Sequence, residues 1–91
     1  MAETPYLVDS NILLRWVKPD HNDYPIIVSA IDSILQSGGV LCYTSQNLGD
    51  DARLAAAMRV HDVKRILTFN DRDFARYTHI EAVHPRTVQT D

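Results

Sequence analysis

Short apolar runs alternate along the chain with polar punctuation, and most runs are bounded by residues that stop regular structure. Tyr6-Leu7-Val8 is β-prone, with Pro5 before it and Asp9-Ser10-Asn11 directly after, which predicts a buried strand ending in a polar turn. Ile12 to Val17 predicts a short first helix, capped by Ser10 or Asn11 and stopped before Pro19. The loop Pro19-Asp20-His21-Asn22-Asp23 leads to a second helix, with Asp23 near its cap and Pro25 in its first turn. Its apolar positions, Ile27, Ala30, Ile31, Ile34 and Leu35, recur at helical spacing, while Asp32, Ser33 and Gln36 mark the wet face. Gly38-Gly39 ends that helix, and Val40-Leu41-Cys42-Tyr43-Thr44 predicts a second buried strand.

In the second half, Asp50-Asp51 precede Ala52 to Val60, a strong helix former. Acids suit a helix start, where exposed N–H groups and the dipole favour negative charge. Ile66-Leu67-Thr68-Phe69 predicts a third strand, closed by the polar turn Asn70-Asp71-Arg72-Asp73, with Phe74 to Tyr77 as one helical turn. Ile80 to Val83, or Thr87-Val88, supplies a last strand at the sheet edge, because Pro85 excludes a central position. Helical crossovers between strands imply the α/β class: a small three-layer α/β/α domain with a mainly parallel sheet, spanning residues 1–91.

Composition narrows the class without naming a function. The 91 residues are 45% hydrophobic and 23% charged, an ordinary globular balance. No apolar run reaches the roughly 20 residues that span a bilayer, and the N-terminus lacks the pattern of a signal peptide, so a cytoplasmic setting without membrane contact is expected. The one cysteine, Cys42, excludes an internal disulfide or a cysteine cluster and reads as an inert core residue. A net charge of −3 argues weakly against a general nucleic-acid binder. Most lysines and arginines nevertheless lie from Arg53 onward, interleaved with acids, and a bound cation would alter that local charge.

Sites in open parallel sheets form outside the carboxyl ends of the strands. Asp9 falls there on the first strand, and Asn70, Asp71 and Asp73 on the third; Asp50 and Asp51 open a helix near the same rim. Hard oxygen ligands of this kind suit Mg²⁺. Each acid also has a plainer reading. Asp50 and Asp51 serve equally as cap and first-turn acids, Asp71 and Asp73 as turn residues, and Asp9 as the partner of Asn11 in a turn hydrogen bond.

Three stretches resemble one known family. Val8-Asp9-Ser10-Asn11-Ile12-Leu13-Leu14 is similar to the opening strand motif of PIN domains, especially the VapC-type toxins of toxin–antitoxin pairs. Asp51-Ala52-Arg53-Leu54-Ala55-Ala56-Ala57 resembles the family's later acid-plus-alanine helix. Ile66-Leu67-Thr68-Phe69-Asn70-Asp71-Arg72-Asp73-Phe74 resembles its Thr-x-Asn-x-x-Asp-Phe strand end. The resemblance implies an endoribonuclease in which carboxylates hold Mg²⁺ or Mn²⁺ and activate water to cleave RNA. It implies Asp9, Asp51 and Asp73 as catalytic metal ligands, Asp50 as a weaker fourth, and Asn70, Ser10 and Arg72 on the substrate side. A protein antitoxin is the partner it implies.

The chain departs from the family in one large respect. Gly49-Asp50 runs directly into Asp51-Ala52, where family members pass through two further helices. Two ligands expected from different helices become neighbours, and successive helical residues point about 100° apart. The missing helices would cover apolar sheet, so a homodimer is expected, with exchange of elements as one route. A shortened, non-catalytic scaffold serving protein contacts is the alternative function. His21, His61, His79 and His84 lie scattered over loops with no metal-ligand spacing, and the pair His79 and His84 reads as surface; Trp16 and Tyr43 read as core or interface residues that could also stack on a base. Arg53, Arg72 and Arg76 could position phosphates or be solvated surface charge. A phosphatase of the haloacid-dehalogenase type would need an acid where Asn11 stands.

Overall fold

Residues 4–43 and 51–88 are described by the computed structural model, with the backbone alone for residues 51–53. The chain runs β1 (Thr4–Val8), α1 (Ser10–Trp16), α2 (Tyr24–Gln36), β2 (Gly39–Cys42), α3 (Asp51–Val60), β3 (Arg65–Leu67), α4 (Asp71–Phe74) and β4 (Glu81–Val83), followed by a 3₁₀ turn at Pro85–Thr87. The strands form one all-parallel sheet in the order β2-β1-β3-β4. Central β1 aligns Leu7 with Ile66 and Val8 with Leu67 of β3.

Strand side chains alternate between faces, and the two cores follow that alternation. Leu7 and Ile66 pack with Leu54, Ala55 and Met58 of α3 and Phe74 of α4 on one face. Val8 and Leu67 pack with Ile12 of α1 and Ile27, Ile31 and Ile34 of α2 on the other. Helices therefore cover both faces, giving the expected three layers. Apart from the small Ala55, each of these buried apolar side chains contributes up to about 1.5–3 kcal/mol, so the two clusters supply most of the cohesion.

Several local expectations change. The first helix is capped by Asp9, not by Ser10 or Asn11. Strand β2 lies at a sheet edge with Val40, Leu41 and Cys42 half-buried, because nothing among the described strands flanks it beyond β1. On α2, Leu35 is 52% exposed, while the Ser33 hydroxyl is buried and has no hydrogen-bond partner among the described residues. The stretch read as a polar turn, from Asp71, is already helical and continues to the buried Phe74. Thr87 lies in the 3₁₀ turn, and Glu81–Val83 forms the edge strand. No helix among the described residues is long and apolar enough to cross a membrane.

Candidate functional site

Strand β1 hands the chain through α1 and α2 to β2 on one side, whereas β3 hands it through α4 to β4 on the other. The connections diverge at the carboxyl ends of β1 and β3, the position at which open α/β sheets place their ligands. The register that pairs Val8 with Leu67 sets the next residues, Asp9 and Thr68, side by side at this point. Both are buried polar residues, and the Asp9 amide donates to the Leu67 carbonyl at 3.1 Å.

The Asp9 carboxylate is held from two directions. Its Oδ1 accepts from the Ser10 amide at 2.7 Å and from Ser10 Oγ at 3.4 Å. Its Oδ2 accepts from Thr68 Oγ1 at 2.7 Å and from Asn11 Nδ2 at 3.3 Å. A buried carboxylate is tolerated when such donors and a helix N-terminus replace its water. Thr68 Oγ1 in turn accepts from the Asn70 amide at 3.0 Å, and Asn11 Oδ1 accepts from the Phe69 amide at 3.5 Å. The first and third strand ends are thus tied together through Asp9, Asn11 and Thr68.

The structure brings the site residues expected from sequence together unevenly. Asp9 and Ser10 stand in the cluster described above. Asn70 joins it by its backbone amide, while its side chain is exposed. Arg72 and Asp73 are exposed on α4, Asp71 is half-buried, and the Asp73 amide donates to the Asn70 carbonyl at 3.0 Å. Asp51 opens α3 at the backbone level, and Asp50, with the rest of the junction, lies outside the described residues.

The fit to a divalent cation can be judged from Asp9 itself. A carboxylate offers about four lone-pair directions, and four donors already approach this one. Among the described residues, no three His, Cys, Asp or Glu side chains group so as to hold a metal ion. They do not make a complete ligand set for Mg²⁺ or Mn²⁺ by themselves.

Two features escaped the sequence reading. Thr68 is fully buried and fixes Asp9, a role that depends on strand register. Three of the four histidines make specific contacts with the backbone. His21 and His84 each accept a backbone N–H through Nδ1, and His79 Nε2 lies 3.2 Å from the Ala55 carbonyl oxygen. Trp16 is partly buried against the α1–α2 core, whereas Tyr43 is 57% exposed. No family model, no curated protein and no solved structure matches the chain.

Proposed function

We propose that the chain is a metal-dependent endoribonuclease of the toxin–antitoxin type, with Asp9 at the centre of its site. One observation carries the reading: a buried carboxylate sits at the switch point between β1 and β3, held by Thr68 from the neighbouring strand. The three motifs that resemble PIN domains add the acids Asp51 and Asp73, with Asp50 beside them, as the remaining ligands for Mg²⁺ or Mn²⁺. Thr68 and Asn11 orient the Asp9 carboxylate; Ser10 beside it, with Asn70 and Arg72 at the start of α4, faces the RNA. An antitoxin segment covering this rim is the partner in that reading.

Incubating RNA with the protein and Mn²⁺ tests the activity. Wild type should cleave, and Asp9→Asn should reduce cleavage by more than about 100-fold, the upper end of losses for groups that merely orient ligands. Equal cleavage by both proteins would reject Asp9 as the centre.

A second reading is favoured by the saturation of Asp9. Both its oxygens are engaged within its own turn and by Thr68, as a purely structural cap would be. In this reading the fold is a non-catalytic module for protein contacts. Leu14 on α1 and Val17 just after it, with Val28 and Leu35 on α2, are exposed apolar side chains that support a homodimer in either case. Cleavage by wild type but not by Asp9→Asn sinks the module reading.

A further inference from the structure

We propose that Arg15 binds a backbone phosphate of the RNA strand beside the one that is cut, an inference that rests on the nuclease reading above. The contacts of Arg15 lead to the Asp9 site through Asn11. From the last turn of α1 the side chain reaches back one turn, and Nη1 donates to the Asn11 carbonyl at 3.1 Å. Asn11 Nδ2 in turn donates to Asp9 Oδ2 at 3.3 Å, and Asn11 Oδ1 accepts from the Phe69 amide at 3.5 Å. The Arg15 guanidinium lies over the ring of the same Phe69, 4.7 Å from its centre. Arg15 therefore leans on two residues just past the ends of β1 and β3, one of which also holds the Asp9 carboxylate.

These contacts fix the guanidinium and leave part of it unused. Its Nε is 3.5 Å from Asp23 Oδ2, Nη1 serves Asn11, and the Phe69 ring packs against it. A guanidinium carries five N–H donors in a rigid fork. Among the described residues nothing accepts from Nη2, so its two hydrogens and the second hydrogen of Nη1 are left for an outside acceptor. Nη1 and Nη2 form the end of the fork that meets two oxygens of a phosphate in parallel. The side chain keeps 34% exposure, which admits such a contact. Because it is already held in place, little rotamer freedom is lost when the contact forms. Asp23 does not cancel the charge by itself, since its carboxylate is shared with Arg86, 3.6 Å away.

The ligand follows from this chemistry. The fork cannot give up its proton and calls for an anion that offers two oxygens. In the nuclease reading a strand of phosphodiesters passes Asp9, and the phosphate next along that strand is the anion presented on the Asn11 side.

The test measures binding of a fluorescent single-stranded RNA oligonucleotide, without divalent metal, to the Asp9→Asn protein. Anisotropy titrations over a range of salt give the affinity and the slope of its logarithm against that of the salt concentration. Adding Arg15→Gln should weaken binding about tenfold at low salt and make the slope shallower by about 0.7, the value of one single-strand phosphate contact. Arg15→Lys should keep the slope with an intermediate affinity, because the charge stays and the fork is lost. A purely structural tie weakens binding and leaves the slope alone, so an unchanged slope in Arg15→Gln overturns the proposal, as does a lack of binding by the Asp9→Asn protein. The Arg15 Nε–H signal of that protein should also shift when RNA is added. An unmoved signal overturns the contact even where the Arg15 variants do not fold. Cleavage by the wild type decides the nuclease reading separately: a shallower slope without cleavage keeps the phosphate contact and removes the nuclease, and cleavage with an unchanged slope does the reverse.

Discussion

The Thr68 hydroxyl serves three partners at once, donating to Asp9 and accepting from the Asn70 amide and, at 3.4 Å, from Asn11 Nδ2. Thr68→Val keeps the shape and removes all three bonds in a fully buried position. The expected loss is about 1–3 kcal/mol in chemical denaturation, with Thr68→Ser retaining most of the stability. Asp9 was legible in the sequence because a carboxylate directly behind a buried apolar run needs a donor or a metal. Its Asn11 contact was legible too, as an ordinary turn bond. Thr68 was not, since its role depends on which strand lies beside β1 and in what register. The histidines were missed for a similar reason: an Nδ1 acceptor is defined by the turn around it, and spacing alone does not reveal that turn.

Helix α3 ends in a Schellman arrangement, with Asp62 N bonded to the Arg59 carbonyl and Val63 N to that of Met58 at 2.8 Å. The arrangement puts Asp62 at φ 55°, a left-handed conformation that costs a side chain energy and glycine none. Asp62→Gly should therefore raise stability by up to about 1 kcal/mol. On α2, Ser33→Ala removes a buried hydroxyl without a described partner and improves helix propensity. A gain of up to about 1 kcal/mol in the same denaturation experiment is expected. The turn after α2 behaves oppositely. Gly38 has φ 92°, and a Cβ on Gly39 would lie 2.8 Å from the Ile34 carbonyl oxygen, so Gly39→Ala should cost about 1–3 kcal/mol. The existence of α2 and its buried stripe were readable from periodicity. Leu35 strayed because an apolar face wider than its contact leaves its margin in solvent. Helix α4 was mistaken for a turn because Asn and Asp suit a loop as well as a first helical turn.

Across the whole molecule, parallel order and two helical layers followed from alternating strands and crossovers, and the structure has both. The strand order β2-β1-β3-β4, and hence the switch point beside Asp9, could not be read from the chain because long-range pairing leaves no local mark. The exposed Leu14 of α1 and Val17 just after it predict a dimer mass in sedimentation, and Leu14→Glu should shift it toward the monomer. The nuclease reading finally depends on acids from separate segments sharing one cation. Mn²⁺ is paramagnetic and broadens the amide signals of residues near it, so a titration followed by NMR addresses that dependence directly. If the acids share a cation, Asp9 and Asp73 broaden together in the wild type and neither does so in Asp9→Asn. Unchanged signals at both positions in the wild type, at millimolar Mn²⁺, would contradict the shared site.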